Sequence, residues 1–348
     1  MTHIGIDCRF AALPSGIGRY TREIVPQILT QAKDEKFTLL LAPQSDDWLN
    51  DVSSGNFVVK ETNIRHYSIP EQLHLPNVLR KLKIDLLFSP HFNIPARCKI
   101  PFVTTIHDLI LHKYPNKASI IQRWAYKSLM KRAVQRAKQI IAVSAFTAEE
   151  LGNVYGDEAS TKTNVIHEGI SPSFSRRPMD EQQKVRDEFD LRKEFFLYVG
   201  NAKEHKNVQL LIDSFEKADL QDKELILVTQ GKEVVRLTYP SNVRFLNTVT
   251  DEQLPALYSA AKVFVTASLY EGFCFPILEA AACGSPVIAT NGSAIAEVAP
   301  QGTLLIEPTV DSFANAFRSP PEPITTPYLP TWKEAAQETL SILRKVNV

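Results

Sequence analysis

The chain has 348 residues, a hydrophobic share of 44%, and 39 lysines and arginines against 39 aspartates and glutamates. This composition is typical of a soluble globular protein, and the balanced charge excludes a global field that would attract nucleic acid. The length favours two domains of about 150 residues each, while no apolar run approaches the roughly 18 residues that a membrane span needs.

Strands and helices alternate in the first half of the chain. Short apolar strands are predicted at 4–6, 37–41, 86–88, 103–106, 139–143 and 164–167, with helical patterns between them. Strands separated by helices form parallel sheets that are covered on both faces. We therefore predict a doubly wound α/β domain.

Gly16 and Gly18 lie in a predicted loop between the first strand and a helix from about 19 to 31. The pair resembles half of a dinucleotide-binding fingerprint, but Thr21 stands where the third glycine belongs. The loop follows the carboxyl end of a strand, where open α/β sheets bind ligands. A ligand-binding loop and a tight turn into a helix both remain open interpretations.

His107 and Asp108 follow the predicted strand at 103–106. Side chains at the carboxyl end of a parallel strand point into the ligand crevice, so His107 is a candidate to donate to a sugar hydroxyl or a carbonyl. The alternative is a structural histidine that hydrogen-bonds the backbone and caps the strand.

A basic helix is predicted over 113–138, because residues 109–148 contain no acidic residue. Its lysines and arginines are Lys113, Lys117, Arg123, Lys127, Lys131, Arg132, Arg136 and Lys138. Apolar residues that include Trp124 give the helix a second side, as in helices that lie on anionic membranes. The alternative is a solvated helix that packs its apolar side on its own sheet.

A second alternation follows an exposed linker predicted at 171–178. Its strands are predicted at 195–199, 225–229, 243–246, 262–267 and 286–290, with helices at 208–217 and 251–260. An amphipathic helix at 332–346 would return to the first domain. The predicted domains are 1–172, 173–328 and the helical segment 329–348.

The loop after the strand at 195–199 carries Lys203 and Lys206 and leads into a helix. A helix N-terminus offers unpaired N–H groups and the positive end of a dipole, which together bind anions. Lys206 is therefore a candidate to neutralise a leaving diphosphate. The alternative is an ordinary solvated lysine.

The segment 268–284 is predicted to be a loop that turns into a helix, with Glu271 and Glu279 separated by seven residues. Pro276 suits the first helical position, and Gly284 suits a left-handed cap. The helix start favours a phosphate, whereas a carboxylate can accept hydrogen bonds from two vicinal sugar hydroxyls. The segment predicts a ligand that combines phosphate and sugar.

Taken together, these motifs resemble those of a known family, the retaining nucleotide-sugar glycosyltransferases of family 4 (group 1), in particular their mannosyltransferases. The resemblance rests on SGIGRY at 15–20, TIHDL at 105–109, VSAFT at 143–147, YVG and KN within 198–207, LPALYSAA at 254–261, YEGFCFPILE at 270–279 and CGSPVI at 283–288. It covers essentially the whole chain. It implies the GT-B fold, in which two Rossmann-like domains face a cleft, the first binding the acceptor and the second the nucleotide-sugar donor.

The resemblance also implies roles for residues of the second domain. Lys206 would hold the diphosphate, and Glu279 would bind the ribose hydroxyls. The transferred sugar and distal phosphate would be held by Glu271 and by the backbone of Phe273, Cys274 and Phe275. Main-chain groups near Leu246 and Val249 would meet the base.

In the first domain, the resemblance implies that His107 touches the donor sugar and that Gly16 and Gly18 let this domain close on the phosphates. Two positions depart from the family pattern. Arginine often follows the strand-end glycine, where this chain has Asn201, so Lys203 or Lys232 would have to supply that charge. Glycine is usual where Cys274 stands, which leaves the conformation of that loop in question.

We therefore predict a retaining transferase that moves a hexosyl unit, mannosyl or a related sugar, from a donor such as GDP-mannose. The acceptor would be a glycan or a polyprenyl-linked sugar in polysaccharide or O-antigen (lipopolysaccharide) biosynthesis. No Asp-x-Asp pair is placed to hold a metal against the diphosphate, so we expect catalysis without a metal or a cofactor.

Two alternatives stay open at this stage. One is a nucleotide-sugar-binding partner without activity, and the other is a GT-B glucan synthase or phosphorylase, which the short chain and the lack of a cofactor-lysine motif disfavour.

The four cysteines form no CxxC pair, which is typical of reduced thiols in a cytosolic protein. We expect a cytoplasmic enzyme without a nucleic-acid partner, and peripheral on the inner face of the cell membrane if the basic helix binds lipid.

Overall fold

The computed structural model describes residues 2–53, 55–114, 119–324 and 329–346. The chain divides into two compact units, the first formed by residues 1–169 with 330–348 and the second by residues 170–329. Along the described ranges, no helix combines the length and the apolar character needed to cross a membrane.

The first unit is built on a parallel sheet of seven strands in the order β3-β2-β1-β4-β5-β6-β7. The strands are β1 (His3–Asp7), β2 (Lys36–Leu41), β3 (Phe57–Glu61), β4 (Leu86–Ser89), β5 (Phe102–Ile106), β6 (Gln139–Ala142) and β7 (Thr163–Val165). Strands β4 and β5 are buried at every residue, as expected of a parallel sheet covered on both faces. The strand order reverses between β1 and β4, which places a ligand crevice outside the carboxyl ends of these two strands.

The helices of the first unit are α1 (Gly16–Gln31), α2 (Ile69–Lys81), α3 (Ile110–Lys113), α4 (Ile120–Arg136), α5 (Ala145–Tyr155) and α6 (Asp157–Thr161), with 3-10 turns at Arg9–Ala12 and Asp47–Leu49. Leu79 of α2, Met130 of α4 and Leu151 of α5 belong to one buried cluster. Helices α2, α4 and α5 therefore pack on the same face of the sheet. Their N-termini all lie at its carboxyl edge, because each of these helices follows a parallel strand.

Two helix starts differ from the sequence prediction. Helix α1 begins at Gly16, because the Ser15 side chain accepts a hydrogen bond from the Gly18 N–H at 3.2 Å and caps the first turn. The single basic helix predicted over 113–138 is wrong, because α3 ends at Lys113 and α4 starts at Ile120 with a capping box. Lys117 lies outside the described residues.

The second unit holds a parallel sheet of six strands in the order β10-β9-β8-β11-β12-β13. The strands are β8 (Glu194–Val199), β9 (Lys223–Val228), β10 (Val243–Leu246), β11 (Val263–Thr266), β12 (Val287–Thr290) and β13 (Leu304–Ile306). Its helices are α7 (Met179–Glu188), α8 (Val208–Ala218), α9 (Leu254–Ala260), α10 (Phe275–Ala282), α11 (Ser293–Val298) and α12 (Val310–Arg318), with 3-10 turns at Glu204–Lys206 and Val234–Arg236. The order reverses between β8 and β11, the second position where a ligand crevice is expected.

The sheet edges and the linker are where the hydrophobic pattern was least informative. Strands β3 and β13 were not predicted, and each is an edge strand whose residues are at most half-buried. The predicted linker at 171–178 is mostly exposed, but Phe174 is buried and its ring lies 6.2 Å from that of Tyr258. This segment is therefore packed onto the second unit.

The last helix, α13 (Trp332–Val346), has the predicted bounds and packs against α1 of the first unit. Leu340 and Leu343 lie on its buried side, and the Trp332 ring meets the Tyr20 ring edge-on at 5.6 Å. The predicted return of the C-terminal helix to the first domain is confirmed.

Candidate active site

Lys206 and Glu271 meet at the carboxyl edge of the second sheet. Lys206 ends the loop after β8, and Glu271 lies in the loop after β11, the strand that pairs with β8. The Lys206 Nζ lies 2.5 Å from Glu271 Oε1, with the two side chains 18% and 11% exposed. The two loops thus bring opposite charges together on either side of the point where the strand order reverses.

The backbone carbonyl of His205 holds these two loops together. It accepts hydrogen bonds from the Leu269 N–H at 2.7 Å and from the Ser268 hydroxyl at 3.3 Å. On the other side, the Glu271 N–H donates to the Ser293 hydroxyl at 3.2 Å, at the start of α11. Three neighbouring strand ends, those of β8, β11 and β12, therefore position the ion pair.

Cys274 adopts the conformation that favours glycine. Its φ of 84° and ψ of 65° lie in the left-handed region, which costs a non-glycine residue roughly 1–2 kcal/mol. Burial, followed by the nearby Glu271 charge, raises the pKa of the Cys274 thiol well above its usual value. The side chain is therefore a neutral thiol, and the loop keeps a glycine-like path although a cysteine occupies it.

Helix α10 begins beside this loop and carries Glu279. Pro276 is the second residue of the helix, one position later than predicted, and Gly284 follows the helix with a φ of +77°, as predicted. The Glu279 side chain is buried, and its Oε2 accepts a hydrogen bond from the Tyr258 hydroxyl at 3.0 Å. One carboxylate oxygen of Glu279 is thus already engaged within the unit, and its ribose-binding role stays a prediction.

The remaining candidate positions lie on the same sheet edge as the ion pair, beyond the ends of β8, β9 and β10. The Asn201 side chain accepts from the Lys203 N–H at 3.2 Å, and the Asn201 carbonyl accepts from the Tyr198 hydroxyl at 2.7 Å. Asn201 therefore shapes the loop through its own hydrogen bonds.

Two exposed lysines flank that edge, Lys203 after β8 and Lys232 after β9. That one of them supplies the charge of the family arginine stays a prediction. The Leu246 carbonyl accepts from the Thr229 N–H at 3.3 Å within the sheet, and Val249 is half-buried. The contacts of these residues with a base stay predictions.

In the first unit, His107 is held between two acceptors. Its Nε2 lies 2.8 Å from the Pro90 carbonyl and its Nδ1 lies 2.9 Å from the Glu168 carboxylate. Burial lowers the pKa of His107, but the hydrogen bond to Glu168 and the charge of that carboxylate raise it above its usual value overall. A ring that donates from both nitrogens is an imidazolium.

The sequence did not identify Glu168 as a partner of His107. The only available signal was its position just beyond a predicted strand, since the two residues are 61 positions apart. Both ring nitrogens of His107 face groups of the same unit, and the contact with the Pro90 carbonyl is the backbone bond of the structural interpretation. Contact of His107 with a donor sugar stays a prediction.

Gly16 and Gly18 have different surroundings. A Cβ on Gly18 would lie 2.1 Å from the Leu13 carbonyl oxygen and 2.9 Å from that of Phe10, so only glycine fits. A Cβ on Gly16 would meet nothing within 4 Å. Gly18 is therefore required by packing, whereas the space next to Gly16 is open at the carboxyl edge of the sheet.

Comparison with known proteins agrees with this arrangement. Residues 15–174 match the model of Glycosyltransferase Family 4, and residues 179–319 match that of Glycosyl transferases group 1. O-antigen chain mannosyltransferase B of Escherichia coli is 28% identical over 322 residues, which cover 84% of this chain and 83% of that protein. O-antigen chain mannosyltransferase RfbU of Salmonella typhimurium is 30% identical over 213 residues, 59% of this chain and 56% of its own length.

Among solved structures, HepE of Anabaena, in complex with UDP and glucose, superposes with a TM-score of 0.71. The superposition covers 100% of this chain and 97% of that one at 17% sequence identity, so it bears on the fold alone. The two sheets and the paired family models define a glycosyltransferase of the GT-B fold. The chain belongs to glycosyltransferase family 4.

The two glycines allow a matched test of packing against ligand binding. Gly18→Ala should lower the free energy of unfolding by about 1–3 kcal/mol, because the added methyl group overlaps backbone oxygens. Gly16→Ala should leave it unchanged or slightly raised, since alanine favours helix. Urea denaturation followed by tryptophan fluorescence would measure both. Equal destabilisation by the two substitutions would contradict the assignment of a packing role to Gly18 alone. Weaker donor binding by a stable Gly16→Ala variant would indicate that Gly16 contacts the donor.

The His107–Glu168 pair predicts a pH dependence of stability. Because the folded-state pKa of His107 is raised, its contribution is fully present below the ordinary value of about 6.5 and is lost as pH rises through the raised value. Glu168→Gln should flatten that decline, which urea denaturation at several pH values would show. An NMR titration that places the His107 pKa below its ordinary value in the wild type would refute the assignment.

Proposed function

We propose that the protein transfers a mannosyl unit from a nucleotide diphosphate sugar, GDP-mannose by preference, to an O-antigen-type glycan acceptor with retention at the anomeric carbon. The observation that carries the proposal is the Lys206–Glu271 pair at the reversal point of the second sheet. The names of the relatives support the sugar and the class of acceptor, since both are O-antigen chain mannosyltransferases.

The ion pair supplies both halves of donor recognition. A diphosphate entering the site would compete with Glu271 for the Lys206 ammonium, and the N-terminus of α10 would add the positive end of its dipole. Once its lysine faces the phosphate, Glu271 is available to accept hydrogen bonds from hydroxyls of the transferred sugar. The same pair therefore changes partners rather than leaving a charge unpaired.

The transfer itself needs charge stabilisation more than a nucleophile. The bond between the anomeric carbon and the distal phosphate oxygen breaks, and a bond to the acceptor oxygen forms on the same face. The acceptor proton passes to the departing phosphate. Lys206 stabilises the negative charge that develops on the diphosphate, the kind of contribution that dominates many active sites. His107, whose ring nitrogens are occupied, would act through its positive charge rather than as an acid or base.

Replacing either member of the pair should greatly reduce the rate of transfer while leaving the fold intact. Lys206→Ala and Glu271→Gln should each lower kcat by about 10²-fold or more, the size of effect seen when one preorganised charge-stabilising group is removed. Glu204→Gln is the matched control, because this exposed carboxylate lies in the same loop. Transfer of labelled mannose from GDP-mannose would measure activity, and thermal unfolding would check the fold. Full activity of both variants would rule out the assignment.

We also propose that the enzyme binds a membrane surface through helix α4. The apolar residues of this helix divide into two sets. Met130, Ala133 and Val134 are buried against the sheet, whereas Ile120, Ile121 and Trp124 are 82%, 78% and 72% exposed. Packing on the sheet thus accounts only for the C-terminal half of the helix.

The charges around the exposed set favour an anionic bilayer. Residues 109–148 contain no acidic side chain, and Lys127, Lys131 and Arg132 are exposed on α4. Each such cation adds about 1 kcal/mol near an anionic membrane surface, and tryptophan is enriched where apolar core meets headgroups. A lipid-linked acceptor would be reached from this position.

Vesicle binding tests this placement. The triple variant Ile120→Ser, Ile121→Ser and Trp124→Ser should no longer cosediment with liposomes that contain phosphatidylglycerol. The triple variant Lys127→Gln, Lys131→Gln and Arg132→Gln should cosediment more weakly than the wild type. Met179→Ser with Val235→Ser is the control, since these residues are 75% and 89% exposed in the second unit. Unchanged binding by both α4 variants would count against membrane contact.

A further inference from the structure

Tyr67, directly before the cap of α2, is an exposed aromatic residue that the rest of the first unit holds in place. Its side chain is 59% exposed, and its φ of 54° lies in the left-handed region. Its N–H donates to Glu71 Oε2 at 2.7 Å, and its hydroxyl lies 3.2 Å from His91 Nε2. Both the backbone and the tip of the side chain are therefore fixed, while much of the ring stays open to solvent.

A buried charge network stands behind this tyrosine. Glu71 is fully buried and also accepts from Arg9 Nη2 and Asn93 Nδ2, both at 2.8 Å, while Arg9 pairs with Asp7 at 2.6 Å. Asp7 ends β1 and Asn93 follows β4. The network therefore spans the point where the first sheet reverses its strand order, the place where open α/β sheets bind ligands.

None of the three described ring contacts of Tyr67 is parallel stacking. Phe10 and His91 meet it edge-on, at interplanar angles of 77° and 89°, and Phe92 is tilted by 50°. The hydroxyl end is the covered end, where burial first, and then the Glu71 and Asp108 carboxylates, raise the pKa of Tyr67 above its usual value. A largely exposed aromatic ring thus lies beside hydrogen-bonding groups.

This combination matches the chemistry of a neutral pyranose. One face of such a ring presents C–H groups that pack on an aromatic face, and its rim presents hydroxyls that hydrogen-bond to carboxylate and imidazole groups. A membrane anchor would not need a buried network to orient one ring, and a nucleotide phosphate would be repelled by Asp108 and Glu71. Left-handed backbone at a residue held by its surroundings is typical of ligand sites.

We propose that Tyr67 is a specificity-determining residue for the acceptor, on whose ring a hexose of the acceptor glycan stacks. This inference rests on the proposed function, because the acceptor that Tyr67 would contact is the acceptor of the proposed mannosyl transfer. It does not depend on the donor site of the second unit.

Two measurements on the full-length protein test it. The first is direct binding of synthetic mannotriose without donor, followed by saturation-transfer NMR. The second is the rate of mannosyl transfer from GDP-mannose to mannotriose, together with hydrolysis of GDP-mannose without acceptor. Tyr67→Ala should weaken mannotriose binding and raise the acceptor KM by about tenfold, with unchanged donor hydrolysis and donor KM. Tyr67→Phe, which keeps the ring, should keep most of the affinity.

Ile69→Ala is the matched control, because Ile69 is 75% exposed at the same end of α2 and should not affect either readout. Wild-type acceptor binding and KM in the Tyr67→Ala variant would overturn the proposal, as would a wild type that binds no mannotriose. A wild type that binds mannotriose through Tyr67 but neither transfers nor hydrolyses GDP-mannose would overturn the proposed function and leave this inference standing.

Discussion

The candidate site of the second unit depends on the hydrogen bonds that the His205 carbonyl accepts. One oxygen accepts from Leu269 and Ser268, so the residue before Lys206 is joined to the loop that carries Glu271. The His205 ring adds no charge beside the lysine, because burial, followed by the Lys206 charge, lowers its pKa to about 4. The loops that carry Lys206 and Glu271 are therefore joined to each other through backbone hydrogen bonds.

Left-handed residues let the chain turn from these strand ends into helices. Asn207 before α8, Cys274 before α10 and Ser293 at the start of α11 have φ values of 53°, 84° and 50°. None of the three is glycine, so each carries a conformational cost that the surrounding hydrogen bonds offset. The helices begin within a residue or two of the strand-end loops, which keeps their N–H groups beside the ion pair.

The two units differ in how their charged side chains at the strand ends are paired and exposed. In the second, one cation and one anion face each other with some exposure, and we propose that they exchange partners when a diphosphate binds. In the first, the Asp7–Arg9–Glu71 cluster is buried and its hydrogen bonds are made within the unit. Breaking such a buried pair costs about 3–5 kcal/mol, so that cluster orients its neighbours instead of binding a charged ligand. The first unit then offers aromatic surface where the second offers charge.

The sequence by itself determined the alternation of strands and helices, the bounds of α13 and the signals at Pro276 and Gly284, because periodicity and turn chemistry are local properties. The motifs shared with family 4 also identified Lys206 and Glu271 as candidates. Only the tertiary structure decided that these two side chains meet across 65 positions, and that His107 pairs with Glu168 across 61. It also revealed the edge strands β3 and β13, whose residues are at most half-buried and carry little hydrophobic pattern. Such contacts depend on which strands become neighbours, and that order follows from long-range packing of helices on the sheet rather than from any one segment.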